Sequence, residues 1–313
     1  MKLYIYLLGL LLTSYMCPAQ YVGLTSLFRP GARVGVQYMP TDLVEKEVPF
    51  GYSQLRSTLI IPMGGAANLD LKKLKASARQ QFLTFNFGAR QYELGNQGTK
   101  REVGNFSLGF TGVSLSTNSG IWAYTVHAGI LNDFAIQEQQ PFAMAAVMKI
   151  KIKGLNRQDF FGGGLIYAGK RLFPVPLIGI RRKLAKKLHI TAIFPVQIDL
   201  SKKLSKRTRL SWLNTWNGFS TNMEYVTNGS PQNALFAFSA LRSSLIFQWK
   251  LSNNLRLMLE GGMNTWSNVR VFDSNRDNEW VDADANFTPY VGVTARFNFG
   301  KSLVGSQLFG NDL

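Results

Sequence analysis

Apolar and polar residues alternate with a period of two along most of the chain after residue 30. Phe106, Leu108 and Phe110 alternate with small or polar neighbours, and the segment Val291–Phe299 repeats the pattern. Successive side chains of a β-strand point to opposite faces, so each such segment predicts a strand with one apolar and one polar face. Beyond the first twenty residues, a helical period occurs only in Leu69–Ala78, which predicts one short helix. The chain is therefore expected to be an all-β protein.

The alternating segments predict fourteen antiparallel strands. The two strands that meet at Phe194–Pro195 fit equally well as one bent strand, so the prediction is a sheet of roughly 12–14 strands. The predicted strands are 32–39, 53–61, 80–92, 102–116, 119–130, 142–153, 159–170, 176–182, 188–195, 196–201, 206–217, 236–250, 254–266 and 287–299.

The connections between these strands are of two kinds. Leu184–Leu188, Leu200–Leu204 and Leu251–Leu255 are copies of one tight turn, in which a small and two polar residues separate two leucines. Short turns on the periplasmic side and longer loops outside are typical of transmembrane barrels, so both termini are expected in the periplasm. The longer connections, expected at the opposite end, are 40–52, 93–101, 131–141, 218–235 and 267–286.

Alternation of this kind is compatible with two fold classes. A soluble β-sandwich or lipocalin-like barrel would bury the apolar face, whereas a transmembrane barrel would turn that face towards lipid. Strands of roughly 9–13 residues match the ~9–11 residues that a tilted strand needs to cross the hydrocarbon layer. Aromatic residues such as Tyr38, Trp122 and Trp249 lie near strand ends, as interfacial girdles do. Because open sheet edges cannot face lipid, the sequence predicts a single antiparallel transmembrane β-barrel.

The first twenty residues do not follow the alternating pattern. Met1–Gln20 contains Lys2, an apolar run at Leu3–Leu12 and small residues at Pro18–Ala19, which together predict a cleaved secretory signal peptide. The predicted organisation is a signal peptide at 1–20, an N-terminal lead-in at 21–31, the barrel at 32–299 and a C-terminal tail at 300–313.

Charge and cysteine content narrow the function classes. The chain has 35 Lys and Arg against 18 Asp and Glu and a pI of about 10.0, a balance that is common in nucleic-acid-binding proteins. Export makes a nucleic-acid partner unexpected. The single cysteine, Cys17, leaves with the predicted signal peptide. The mature chain is therefore expected to have no disulfide, no cysteine metal site and no cysteine nucleophile.

Several motifs together resemble a known group of proteins. They are a signal sequence ending Pro-Ala-Gln, the pair Ile61–Pro62, the Phe194–Pro195 turn, the Leu-Ser-x-x-Leu turns and the closing strand Gly292–Phe299. In these motifs the chain resembles the uncharacterised outer-membrane β-barrel families of Bacteroidetes-type bacteria. The resemblance implies a location in the bacterial outer membrane and assembly by the outer-membrane insertion machinery, and it implies no activity. One departure is that Gly300–Leu313 follows the last strand, where such barrels usually end.

The polar face of the predicted barrel is rich in cations. Faces assigned strand by strand place eleven cations inward, against Asp199 and Glu260. These candidate lumen-lining residues are Arg33, Arg56, Arg90, Lys149, Lys151, Lys153, Arg181, Arg209, Arg242, Arg256 and Arg296. A low-dielectric wall with one sign of charge attracts counter-ions, which predicts a passive pore that favours small anionic solutes. Alternatively, the cationic stems fill a narrow lumen, and the protein is a non-conducting structural or assembly barrel that scaffolds partner proteins, which the sequence does not identify.

Motifs for catalysis and metal binding are weak. Gly164–Lys170 imitates a phosphate-binding loop, but Arg171 stands where Ser or Thr would hold Mg²⁺. His127 and His189 fall on predicted inward faces, and the sequence links no serine to either. Because some outer-membrane proteins are lipid hydrolases with Ser and His sites, phospholipase activity is the alternative to a barrel without enzymatic activity. The acidic loop Asp273–Asp284 lacks the glycine and final glutamate of an EF-type Ca²⁺ loop. We expect no enzymatic activity, no cofactor and no metal site, with outer-membrane lipid around the barrel.

Overall fold

A computed structural model describes residues 30–40, 50–70, 75–94, 99–117, 120–134, 138–153, 156–168, 171–227, 230–273, 279–285 and 288–299. The predicted signal peptide at 1–20, the lead-in up to residue 29 and the tail at 300–313 lie outside the described residues. The strands are β1 (Gly31–Met39), β2 (Phe50–Asp70), β3 (Lys75–Leu94), β4 (Thr99–Ser116), β5 (Gly120–Asp133), β6 (Glu138–Ile152), β7 (Arg157–Ala168), β8 (Arg171–Ala185), β9 (Leu188–Phe194), β10 (Gln197–Lys203), β11 (Thr208–Thr227), β12 (Ser230–Lys250), β13 (Leu255–Asp273), β14 (Glu279–Ala285) and β15 (Thr288–Asn298).

These strands form one closed antiparallel ring. The strands from β1 to β13 pair in chain order, and β15 pairs with both β13 and β1. β14 pairs with the part of β13 that extends beyond β15, so β14 and β15 share one position in the ring. The result is a closed 14-strand antiparallel barrel, which confirms the all-β transmembrane-barrel prediction. The part of the chain that the structure describes contains no helical segment with the length and hydrophobicity of a membrane span.

The outward face of the barrel carries an apolar band. Phe106, Leu108, Val291 and Val293 lie outward and expose between 45% and 59% of their surface, as the alternation predicts. Aromatic side chains accompany the band, and the rings of Trp216 and Trp266 pack with centroids 5.5 Å apart. A soluble barrel would bury these apolar residues, so their exposure fits a wall that faces lipid.

The two ends of the barrel differ. The terminal end, at which β1 begins and β15 ends, carries the tight turns 186–187, 204–207 and 251–254. The opposite end, here called the distal end, does not have the long loops expected at 218–235 and 267–286. The first of these segments is paired strand instead, because the ladder between β11 and β12 continues as far as Thr227 and Ser230. Polar strands beyond the lipid need no apolar face, so alternation did not reveal them.

The predicted helix at Leu69–Ala78 is also wrong. Residues on both sides of 71–74 belong to β2 and β3, which pair from Phe50 with Leu94 to Asp70 with Lys75. β1 begins at Gly31, opposite Ile60, so β2 continues beyond β1 at the terminal end. Cross-strand pairing has therefore overridden a weak local helical period. The described residues of 62–79, which the predicted strands 53–61 and 80–92 leave as a connection, belong instead to a β-hairpin that extends past β1.

The wall is uneven at the distal end. β9 and β10 have 7 residues each, whereas β11 and β12 have 20 and 21. Cα atoms of β11 lie within 8 Å of Cα atoms of β5 and β6, which are on the far side of the ring. The interior is therefore narrow between β11 and these two strands, and the β9–β10 hairpin is the shortest part of the described wall.

Candidate functional site in the barrel interior

A cluster of buried apolar side chains, here called the distal cluster, fills the distal half of the interior. Its centre is aromatic: the centroid of the Phe50 ring lies 4.9 Å from that of Phe238 and 5.6 Å from that of Phe236. Because β2 and β12 are not neighbours in the ring, these contacts cross the lumen. The members are Met39, Phe50, Tyr52, Tyr92, Val103, Leu131, Phe142, Ile166, Ala168, Phe173, Val175, Met223, Ala234, Phe236, Phe238, Ala240, Val269, Val271 and Tyr290.

A second apolar cluster, here called the terminal cluster, lies nearer the terminal end on the side of β2 to β7 and β9. Its members are Ile60, Phe82, Val113, Ile121, Ala123, Met148, Ile150, Phe160 and Ile193. Apolar side chains that face the interior are stabilised by burying one another away from water. The interior therefore differs from the uniformly polar lumen that alternation predicts, because it contains two apolar regions with polar residues between and beside them.

Arg242 is the centre of a polar network beneath the distal cluster. Its side chain is fully buried, and Nε donates to Asn264 Oδ1 at 3.3 Å. Nη1 donates to Gln37 Oε1 at 3.1 Å, and Nη2 donates to the Tyr52 hydroxyl. Opposite Leu241 and Arg242, Thr265 of β13 has no register partner, so a β-bulge interrupts the pairing of β12 with β13 at this point. The guanidinium thus ties β12 to β13, β1 and β2.

Glu260 is the acidic partner of this network, although it does not contact Arg242 directly. The Tyr290 hydroxyl donates to Glu260 Oε1 at 2.5 Å, and Gln37 Nε2 donates to Oε2 at 3.3 Å. The Arg242 guanidinium carbon lies 3.9 Å from the centroid of the Tyr290 ring, a cation–π contact. Gln37 of β1 and Tyr290 of β15 therefore connect Arg242 to Glu260, at the place where the first and last strands of the barrel pair.

Arginines form a row on the opposite side of the interior from the terminal cluster, near the terminal end. Arg256, Arg296 and Arg33 are register partners on the adjacent strands β13, β15 and β1. Arg209 Nη2 lies 4.0 Å from Asp199 Oδ2 and also donates to the Ser201 hydroxyl. Among the described residues of this region, inward arginines outnumber inward carboxylates.

Eight of the eleven candidate cations lie on inward positions, and three lysines do not. The inward residues are Arg33, Arg56, Arg90, Arg181, Arg209, Arg242, Arg256 and Arg296. The assignment of Lys149 and Lys151 to the lumen is wrong, because their neighbours Met148 and Ile150 point inward into the terminal cluster. Lys149 Nζ lies 5.2 Å from the Trp122 ring, and Lys151 Nζ lies 5.4 Å from the Phe161 ring.

The assignment of Lys153 to the lumen is also wrong. It follows the end of β6, and its side chain is 57% exposed and pairs with Asp159 Oδ2 at 3.0 Å. Asp159 also accepts from Arg157 Nε at 2.8 Å. Long cationic side chains at the edge of an apolar band reach towards the polar interface. These lysines therefore belong to the outer rim of the terminal end.

Several polar atoms between the two apolar clusters have no hydrogen-bond partner among the described residues. They are both side-chain polar atoms of Gln54, Asn105 Nδ2, His127 Nδ1 and Thr84 Oγ1. Buried polar groups are normally satisfied, so we expect ordered water at this level of the interior. In the part of the chain that the structure describes, no group of three His, Cys, Asp or Glu side chains is placed to hold a metal ion.

The sequence analysis missed the aromatic residues of the interior. Phe236 and Phe238 alternate with Ala237 and Ser239, which predicts a strand but leaves open which face looks inward. Tyr52 and Tyr290 also lie near the ends of predicted strands, where interfacial aromatics are expected, yet both are buried inside the barrel. A usable signal for an aromatic interior is a strand with aromatic residues on one face and small residues on the other. A strand that faces lipid on one side and a polar lumen on the other would not show this pattern.

Comparison with known proteins gives a family and several distant structural likenesses. An outer membrane channel from Pseudomonas putida F1 (COG4313) is 13% identical, covers 91% of this chain and 100% of its own, and has a TM-score of 0.37. LpxR from Salmonella typhimurium is 9% identical over 86% of this chain and 100% of its own, with a TM-score of 0.35. A triple mutant of Rhodopseudomonas blastica porin is 10% identical over 87% and 99%, with a TM-score of 0.28.

The comparison with curated proteins finds no match. The model of one protein family matches residues 32–300, which include every described strand from the second residue of β1 to the end of β15. The chain therefore belongs to the family described as Domain of unknown function (DUF6268).

Proposed function

We propose that the protein is an outer-membrane channel of porin type that passes small anionic solutes and is closed in the conformation described here. A closed barrel leaves no unpaired sheet edge for lipid to meet, and the exposed apolar band supports insertion in a bilayer. Export by a signal peptide and insertion by the outer-membrane machinery are part of this proposal, as is a terminal end in the periplasm. A catalytic role is not.

The observation that carries the proposal is the inward arginine row. Arg256, Arg296 and Arg33 lie side by side on three strands, and Arg181 and Arg209 continue the positive surface on the adjoining wall. Like charges on a low-dielectric wall add their potentials, so a solute entering from the terminal end meets a field that concentrates anions. Asp199 offsets only part of this charge.

The distal cluster supplies the closure. Phe50, Phe236 and Phe238 meet across the lumen, and Tyr92 stacks on Phe236 with centroids 4.9 Å apart. Water and ions avoid an apolar constriction because it offers them no hydrogen bonds. Passage therefore requires these rings to separate or to be removed.

Planar-bilayer recordings of the purified barrel test this function. We expect low conductance for the unmodified protein and a clear increase for Phe236→Ala combined with Phe238→Ala, since both rings cross the lumen. In a salt gradient, the reversal potential of the opened variant should show anion preference. Adding Arg296→Gln should reduce that preference, whereas the matched outward change Lys149→Gln should leave it unchanged.

The alternative function is a non-conducting barrel that scaffolds partner proteins, and the apolar filling of the distal half favours it. The recordings separate the two. An opened variant that stays silent, while heat-dependent mobility on gels shows that it is folded, would support the scaffold and refute the channel. Cation preference in the opened variant would refute the role assigned to the arginine row.

A further inference from the structure

The wall of the barrel is interrupted above the β9–β10 hairpin. The ladder between β8 and β9 ends at Ile178 and Phe194, and the ladder between β10 and β11 ends at Gln197 and Thr215. β8 continues towards the distal end as far as Arg171, and β11 continues as far as Thr227. The part of β8 beyond this point has a length of about 20 Å at ~3.3 Å per residue. The gap between these two continuing strands is here called the lateral gap.

On the side of β8, the lateral gap lies at the level of the membrane. β9 and β10 have 7 residues each, fewer than the ~9–11 that a tilted strand needs to cross the hydrocarbon layer. Leu172, Ile178 and Phe194, which border the gap on the outward face, expose 60–65% of their surface. The hairpin therefore ends within the apolar band, and the space above it faces lipid chains along β8.

The sequence of β8 suits a strand with an open edge. Pro174 and Pro176 both lie in the part of β8 beyond Ile178, where the strand pairs with β7 only. Proline has no backbone N–H to donate, so within sheets it is found on edge strands. A wall built to be continuous at this position would place residues with a full pair of backbone hydrogen-bonding groups here.

The inner side of the lateral gap opens on apolar residues. Phe173 and Val175 of β8 belong to the distal cluster, Ile193 belongs to the terminal cluster, and Leu177 packs against both clusters. Val196, in the turn at the top of the hairpin, packs against the terminal cluster. The gap is therefore the place where the apolar interior and the apolar outside of the barrel are continuous.

Below this apolar region, the same sector of the wall is cationic apart from Asp199, which pairs with Arg209. Arg181 of β8 and Arg209 of β11 lie inward on either side of the hairpin, near the terminal end. A molecule that reached the interior through the gap would meet apolar side chains first and guanidinium groups deeper in the barrel. This order matches an amphiphile whose hydrocarbon chain stays near the clusters and whose anionic head is held by arginine.

We propose that the lateral gap is an entrance from the membrane to the barrel interior for an anionic amphiphile with one hydrocarbon chain, of the fatty-acid class. The proposal rests on the membrane location in the proposed function and is independent of ion conduction. The head group binds at Arg181 and Arg209, and the chain lies along Leu177, Ile193 and Val196. No bond is formed or broken in this step.

Fluorescence titration of the detergent-solubilised barrel with 11-(dansylamino)undecanoic acid tests the site. We expect saturable binding, displacement by palmitate and no displacement by acetate, which lacks the chain. Val196→Glu places a carboxylate in the apolar path and should weaken binding by about tenfold or more. The control Val293→Glu carries the same change on a fully paired, lipid-facing part of the wall and should bind as the unmodified protein does.

The head-group assignment has its own variants. Arg181→Gln with Arg209→Gln should weaken palmitate binding by about tenfold, the loss expected for a charge-assisted hydrogen bond, and should leave hexadecanol binding unchanged. Failure of palmitate to displace the probe, or equal losses in Val196→Glu and Val293→Glu when both are folded, would overturn the proposal. Bilayer recordings contain no fatty acid, so a silent channel with saturable palmitate binding refutes only the conduction function, and an anion-selective channel without such binding refutes only the lateral entrance.

Discussion

Arg242→Met is the most informative single change in the interior. It removes the charge and all hydrogen-bond donors of a fully buried side chain and keeps most of its volume. The acceptors on Gln37, Asn264 and Tyr52 lose their shared donor. A buried group left without its partner costs about 1–3 kcal/mol, so three such groups give at least about 3 kcal/mol. We expect the free energy of unfolding to fall by about 3–5 kcal/mol, the lower part of the range that three such groups give.

Urea unfolding of the barrel in lipid vesicles, followed by tryptophan fluorescence, measures this loss. Lys149→Met is the matched control, because it also replaces a cation by methionine but on the outward face, where we expect a change of about 1 kcal/mol or less. Arg242→Lys keeps the charge but not the three-way geometry and should fall between the unmodified protein and Arg242→Met.

A double-mutant cycle with Glu260→Gln tests the connection between the two charges. Gln37 and Tyr290 link Glu260 to Arg242, so the two changes together should cost less than their sum by about 1 kcal/mol. Additive losses would show that Glu260 is held independently. A loss in Arg242→Met no larger than in Lys149→Met would refute the claim that the guanidinium stabilises the closed ring.

Two further predictions concern the wall. A Cβ at Gly129 would overlap the carbonyl oxygen of Phe106 and lie 2.6 Å from Ser107 Cβ, so Gly129→Ala should lower the unfolding free energy by about 1–3 kcal/mol in urea titrations. The control is Gly261→Ala, whose Cβ would meet no atom within 4 Å and which should change the unfolding free energy by about 0.5 kcal/mol or less. Equal effects of the two substitutions would contradict the packing described here. Replacing residues 69–76 by a two-residue turn should leave the barrel folded, because the described residues of this segment pair only within the hairpin and not with β1 or β4. Loss of heat-dependent gel mobility in this variant would show that the tip of the hairpin is needed for the wall.

The outward face of the barrel could be predicted from sequence because lipid imposes a single requirement on it. Around Leu108 in β4 and around Val293 in β15, every second residue is apolar and exposed, and only one face of each strand can meet the hydrocarbon layer. Strand ends were harder to predict. β11 and β12 extend beyond the lipid, where neither face must be apolar, and their Ser- and Asn-rich ends resemble loops in composition although they are paired to Thr227.

The inward face could be predicted only in part, since alternation shows which residues share a face but not which face is inside. In β6 the assignment is wrong, because an inward Lys149 and Lys151 would turn Met148 and Ile150 towards lipid, whereas these two residues pack inside with Ile121 and Phe160. Lysines can occupy the outward face here because the strand ends at the polar interface. Charge alone is therefore an unreliable guide to the lumen near a strand end, and it is more reliable at mid-strand, where Arg242 lies.

The polar network around Arg242 shows why the rest could not be inferred from spacing. Gln37 and Arg242 are 205 positions apart, and Gln37 and Glu260 are 223 apart, so only closure of the ring brings them together. The network spans the strands on both sides of the β1–β15 pairing, where the beginning of the chain meets its end. The same side chains support the distal cluster, since Tyr52 and Tyr290 belong to both. Closure of the barrel and closure of the lumen therefore depend on shared residues. A substitution of Tyr52 or Tyr290 that opens the aromatic constriction must also weaken the contacts across the β1–β15 pairing.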